Sequence, residues 1–176
     1  MGNAHVILER KWAMPNKNTF SIKPIKEMLE NVIATLPSGA VIADPFANSN
    51  TYGTITNDLD EQYDTTYHMD ALDFLRQLGT ASVDMILYDP PYSPRQIAEC
   101  YKTLGASVNM QTTQSSYWAK QKAEIARVVK PGGYVFTCSW NSGGIGKKYG
   151  FEVQKVLLVT HGSWHNDTIA VLDRKM

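Results

Sequence analysis

Asp89-Pro90-Pro91-Tyr92 sets a carboxylate, two stiff residues and an aromatic ring in a row. Each proline fixes its own φ and pushes the residue before it into extended geometry, so Asp89 and Pro90 have little freedom. The Asp89 carboxylate and the Pro90 carbonyl are then two hydrogen-bond acceptors held on a rigid frame. An amine attached to an aromatic ring is a group that such a pair would serve. Its lone pair is delocalised into the ring and is a poor nucleophile. Acceptors on its N–H bonds draw it toward tetrahedral geometry and localise the pair, and preorganisation makes that effect large. Tyr92 would stack on the ring. A base inside duplex DNA reaches such a pocket only if it is flipped out or already single-stranded.

Asp44-Pro45-Phe46 is a second acidic exit of the same kind. Two such exits at the carboxyl edge of one sheet would make a paired site. The residues that follow, Ala47-Asn48-Ser49-Asn50, are not a glycine-rich phosphate loop, so NAD and ATP are not expected ligands. GGIGKK at 143–148 resembles a phosphate loop only in part. Asn141 stands where that loop needs glycine, and Lys148 where it needs Ser or Thr. As a basic loop, Lys147 and Lys148, with Arg95, would meet a nucleic-acid backbone, or simply be solvated. His161, His165 and Asp167 are too few ligands in one predicted loop, and no metal is expected.

The elements that must position these residues read as an alternation of strands and helices. Strands are predicted at 40–44, 54–57, 66–69, 83–89 and 134–139, and a C-terminal hairpin at 151–160 and 168–174. Helices are predicted at 25–36, where apolar residues recur on one face behind Pro24, at 71–78 with Asp70 as its cap, and at 114–130, ending at KPGG. The first 20 residues read as irregular, with Trp12 and Met14 as anchors, and 93–113 gives no clear period. This pattern predicts an α/β fold: a mostly parallel sheet with an antiparallel C-terminal end. Too few residues separate the first two strands for a normal crossover helix, which predicts an abbreviated first crossover.

The chain has 176 residues, 43% of them apolar, which suits one domain. Lys plus Arg equal Asp plus Glu at 17 each, so a nucleic-acid partner would have to be met by a local patch. Two cysteines make no disulfide framework, and no run of apolar residues reads as a signal peptide or a membrane span. A soluble, cytoplasmic protein is expected.

Taken together, these stretches resemble the S-adenosylmethionine-dependent amino-methyltransferases of DNA. DPPY is similar to their catalytic motif in its adenine-specific form, which implies catalytic roles for Asp89, Pro90, Pro91 and Tyr92. VIADPFANSN resembles their cofactor motif, implying cofactor contacts from Asp44, Pro45 and Phe46, although Asn48 and Asn50 stand where the family has glycines. NTFSIKP resembles the segment that meets the methionine part of the cofactor, implying Phe20, Ser21 and Lys23. Asp58 matches the acid that holds the cofactor ribose, with Asp60 as its rival; Asp70, beside Ala71, matches the acid that meets the cofactor adenine.

The resemblance covers nearly the whole chain. It points to a Rossmann-like methyltransferase sheet over 1–176, without a separate target-recognition domain. The similarity is to small stand-alone DNA adenine methyltransferases encoded by bacterial viruses, acting in the bacterial cytoplasm. Its implied reaction is methylation of the adenine N6 amine in DNA. The alternatives are a guanine N2-methyltransferase of structured RNA and a non-catalytic module that binds cofactor or nucleic acid. A homodimer is a further possibility.

Overall fold

The structure is a computed structural model that describes residues 5–105 and 116–176. Among the described residues, seven strands form one sheet: β1 (Ile7–Trp12), β2 (Ile42–Asp44), β3 (Ile55–Thr56), β4 (Val83–Tyr88), β5 (Val129–Ser139), β6 (Phe151–Thr160) and β7 (Thr168–Lys175). Their order across the sheet is β1-β6-β7-β5-β4-β2-β3. β7 is antiparallel to both neighbours and every other pairing is parallel, so six strands end on one edge. The order reverses between β2 and β4. In open α/β sheets the crevice outside the carboxyl ends at such a reversal is where ligands bind.

β4 shows why the sheet has two apolar faces. Side chains alternate along a strand. Met85 and Leu87 join α1 (Lys23–Ile33) through Ile25 and Leu29, while Ile86 and Tyr88 join α2 (Ala71–Gln77) and α4 (Ser116–Val128) through Phe74, Leu75 and Ile125. All of these except Tyr88, at 1%, are fully buried. Lys23-Pro24 opens α1 with the proline in its first turn, where a missing N–H costs no intrahelical bond. Asp70 caps α2 by accepting from the Leu72 N–H at 2.9 Å, as its position predicts.

Between β2 and β3 the chain runs through turns with no helix, so the first crossover is indeed abbreviated. Four expectations need correction. Residues 7–12 are not irregular: β1 pairs in parallel with β6 along its whole length. Its side chains are nearly all exposed, so it carries no apolar alternation to reveal it. Tyr67, in the segment predicted as a strand at 66–69, forms one bridge to Asn57 and no ladder. The Asn57 side chain takes the ladder's place, donating to the Pro45 and Met69 carbonyls and accepting from the Met69 N–H.

KPGG is strand, not helix end, and β5 starts at Val129. A Cβ at Gly133 would lie 2.8 Å from the Asp84 carbonyl oxygen, so glycine lets β5 pass tightly beside β4 where their register slips. Finally, 93–113 begins with a helix, α3 (Pro94–Thr103), capped by the Ser93 hydroxyl. Residues 106–113, and the predicted helix start at 114–115, lie outside the described residues.

Candidate active site

The two acidic exits do meet. A cleft of about 550 Å³ opens at the carboxyl edge beside the strand-order reversal. Asp89, Pro90, Pro91 and Tyr92 line it, as do Phe20, Pro45, Phe46, Asp58, Asp70 and Ala71. Ser21 and Lys23 do not: both are exposed, and the wall is built instead by Lys17, Asn18, Thr19 and Phe20 just upstream. Asp44 lies beneath the cleft, fully buried. Asp60 lines the cleft with Asp58, Asp70, Asp89 and Glu99, against Lys17 as the one cation among the described lining residues. Such a cleft favours a cationic ligand and disfavours phosphates.

The asparagines at the glycine positions have local explanations. Asn48 has φ 51°, the left-handed region that asparagine tolerates better than most residues. Its N–H donates to Asp58 Oδ2 at 2.8 Å. Asn50 Nδ2 donates to Asp44 Oδ2 at 2.8 Å and to the Ala47 carbonyl at 2.7 Å, pinning the loop onto the end of β2. Asp44 Oδ1 also accepts from the Phe46 N–H at 3.0 Å. Burial still pushes the Asp44 carboxyl up to about 7, partly offset by those donors. Asp44 is thus a support for the loop rather than part of the cleft surface.

Asp58 holds two segments at once. Besides Asn48, it accepts from the Asp60 N–H through Oδ1 at 2.9 Å. Asp70 caps α2 through Oδ1 and accepts the Tyr101 hydroxyl through Oδ2. Tyr101 comes from α3, in a stretch whose sequence gave no period, and with Ile97 and Tyr117 it forms a small apolar cluster beside the cleft. Burial and the neighbouring Tyr117 push its phenol well above the ordinary range.

The Asp89 carboxylate is already oriented. The Tyr92 hydroxyl donates to Asp89 Oδ1 at 2.5 Å, and the Tyr92 N–H donates to Gln96 Oε1 at 2.6 Å, tying DPPY to α3. Trp118 Nε1 donates to the Pro91 carbonyl at 3.1 Å, and Trp140 packs edge-on against Tyr92 with ring centroids 5.6 Å apart. Tyr92 therefore positions the carboxylate as well as offering a ring. Burial pushes the Asp89 carboxyl up to about 6, while the Tyr92 and Thr19 hydroxyls favour its charged form. No sequence signal marked Gln96, Trp118 or Trp140, because each acts through its place in space beside the motif.

The basic residues stand apart from the cleft. Lys147 and Lys148 lie on an exposed turn, with Lys148 Nζ 4.8 Å from the Tyr149 ring centroid. Arg95 is exposed on the first turn of α3 and pairs with Glu99 at 2.8 Å. GGIG has a packing cause: at Gly144 (φ 52°) an added Cβ would run into the Asp173 carboxylate. His161 is buried, its ring nitrogens bonded to the Ala13 carbonyl and the Thr168 hydroxyl, each at 2.8 Å. No group of three or more metal-binding side chains occurs among the described residues, and no described helix is long and apolar enough to cross a membrane.

No protein-family model matches this sequence, and no curated protein sequence does. Solved structures match it in shape. The Escherichia coli protein yhhF, assigned as a methyltransferase, superposes with a TM-score of 0.57 at 12% identity, covering 92% of this chain and 91% of its own. TrmN from Thermus thermophilus gives 0.58 at 18% identity over 88% of this chain, which spans about half of TrmN (49%). The Burkholderia thailandensis 1,6-didemethyltoxoflavin-N1-methyltransferase, solved with 1,6-didemethyltoxoflavin and S-adenosylhomocysteine bound, gives 0.53 at 12% identity over 88% of this chain and 77% of that one. At such identities the likeness speaks for architecture alone. The chain has the Rossmann-like fold of methyltransferases.

Proposed function

We propose that the chain is an S-adenosylmethionine-dependent methyltransferase that modifies the N6 amine of adenine in DNA. The observation that carries this reading is the joining of DPPY to an acidic cleft at the strand-order reversal. Five carboxylates and one lysine line that cleft, which suits a sulfonium cofactor and no phosphate-bearing one. Asp58 would hold the ribose and Asp70 the adenine, with Phe20, Pro45, Phe46 and Ala71 packing around them. When bound, S-adenosylmethionine would supply a methyl group on a positively charged sulfur, whose C–S bond would break as the new N–C bond forms. The protein's part is to orient the amine. Asp89 Oδ2 and the Pro90 carbonyl would accept its two N–H bonds while the Tyr92 hydroxyl fixes Oδ1. The proton left on nitrogen then passes to Asp89 or to solvent.

Purified protein with labelled cofactor should transfer label to DNA, and digestion to nucleosides should place it on adenine. Label on RNA guanine, or on nothing, would overturn the assignment.

The reaction should depend on pH through Asp89. Protonation turns an acceptor oxygen into a donor, and the carboxyl sits at about 6. Transfer should therefore hold steady above that pH and fall as pH drops through it. Tyr92→Phe removes a donor that favours the charged form, so its midpoint should lie higher than the parent's. A profile with no break near pH 6 would remove Asp89 from the reaction.

DNA contact should fall partly on Lys147 and Lys148. Replacing both with alanine should weaken binding on all sequences and reduce the slope of log K against log[salt] by about 1.8. Equal slopes for variant and parent would make this turn plain solvated surface.

A further inference from the structure

Behind DPPY lies a second, smaller cavity of about 280 Å³. Pro90, Pro91 and Tyr92 line both it and the acidic cleft, so the motif forms a wall common to the two spaces. Their chemistry differs. All five carboxylates of the cleft are absent from the smaller cavity, whose charged side chain among the described residues is Lys122. Its volume is just below the about 300–1,000 Å³ of pockets that enclose whole drug-sized ligands. It suits one heterocycle rather than a nucleotide.

Thr137 in β5 lines this cavity and is 3% exposed. Its hydroxyl has no hydrogen-bond partner among the described residues. A buried hydroxyl left unpaired is costly, and a ligand that supplies its partner would remove the cost. Ser139, two residues on and on the same strand face, is already engaged with Asn141, donating to its carbonyl and accepting its N–H. Lys122 Nζ donates to the Gly144 carbonyl at 2.5 Å and keeps further N–H bonds to offer. The cavity therefore presents donors on the far side of the wall that carries the amine acceptors.

We propose that this cavity takes the flipped base and that Thr137 donates a hydrogen bond to a ring nitrogen flanking its amine. This rests on the methyltransferase reading given above and deepens it. In adenine both ring nitrogens nearest the amine, N1 and N7, are acceptors. In guanine the 2-amino group is flanked by N1–H, a donor, and by N3, an acceptor. The Lys122 ammonium, which only donates, would face N1–H unfavourably, whereas the Thr137 hydroxyl could turn to accept from it. A site whose buried donors demand a partner rejects an analogue that cannot provide one. Lys122 thus favours adenine over guanine, Thr137 holds the ring nitrogen beside the amine, and Asp89 with Pro90 then orients that amine toward the cleft.

The test uses DNA oligonucleotides carrying adenine, 1-deazaadenine or 7-deazaadenine at the methylated position. The parent should lose roughly ten- to a hundredfold in kcat/KM on one of the two deaza bases. Thr137→Val should lose a similar factor on adenine, lose nothing more on that deaza base, and be rescued by Thr137→Ser. Cofactor affinity should be unchanged, and thermal stability unchanged or raised, since an unpaired hydroxyl has been removed. A parent indifferent to both deaza substitutions, or a Thr137→Val chain as fast as the parent on adenine, overturns the inference and leaves the methyltransferase reading standing. A parent that methylates no adenine overturns both.

Discussion

Asp89→Asn should transfer methyl groups two to three decades more slowly than the parent while binding cofactor equally well. The Tyr92 hydroxyl already donates to Asp89 Oδ1, so asparagine would keep its carbonyl oxygen there and turn its amide nitrogen toward the substrate. That nitrogen is a donor facing the N–H bonds of the amine, where the carboxylate offers an acceptor. Losing one preorganised interaction of this kind costs about 2.7–4 kcal/mol of transition-state stabilisation. Asp58 and Asp70 lie on other segments of the chain, and neither bonds to Asp89, so the cofactor side of the cleft should be unaffected. Single-turnover transfer to DNA, set beside calorimetric titration of S-adenosylmethionine, separates the two effects. Near-parental turnover would make DPPY a structural turn, and the proposed reaction would fall with it.

Why DPPY could be read at all, and Thr137 could not, is a matter of how local each signal is. Asp89 and Pro90 owe their geometry to the two prolines, and the buried run before them, six residues long, has the length of a strand rather than a helix. The same holds for Asp70, whose cap is made with a residue two positions on. α1 announces itself by period, and β6 and β7 by two apolar runs with a turn between them. β1 has no such mark. It is a strand because β6 offers it a ladder, and its exposed side chains record nothing of that. Residues 66–69 fail in the opposite sense: their composition suits a strand, but Asn57 supplies by side chain the bonds that a ladder would have made.

The same distinction applies within the site. Asp58, Asp70, Pro45 and Phe46 each lie within a short motif of the sequence, and all four line the cleft. Ser21 and Lys23 do not line the cleft, whose wall on this side comes from the turn before them. Tyr101, Trp118, Lys122 and Thr137 come from α3, α4 and β5 and converge only in the fold. A hydroxyl in an apolar strand reads as ordinary until its lack of a partner is seen.

Asp58→Ala should weaken S-adenosylmethionine binding by about 2–4 kcal/mol, a loss of some thirty- to several-hundredfold in affinity. Two effects add. The first is direct: a carboxylate accepting ribose hydroxyls makes charge-assisted hydrogen bonds, stronger than those between neutral groups. Each oxygen of Asp58 has accepted one backbone N–H and retains a second lone pair for the ligand. The second is indirect. Asn48 sits in the left-handed region with its N–H held by Asp58 Oδ2, and alanine would release that loop at the cleft wall.

Asp60 is the nearby rival for the same role. Its two oxygens likewise accept one donor each, but both donors come from Gln62 in its own turn, so Asp60 holds no second segment at the cleft wall as Asp58 holds Asn48. Asp60→Ala should therefore cost far less. Measuring both variants by calorimetry tests the assignment, and Asp58→Glu adds a control, since it keeps the charge but reaches further. If Asp58→Ala binds as the parent does, the ribose is held elsewhere. If Asp60→Ala shows the larger loss, the two acids exchange roles, and the loop carrying Asn48 is positioned for packing alone.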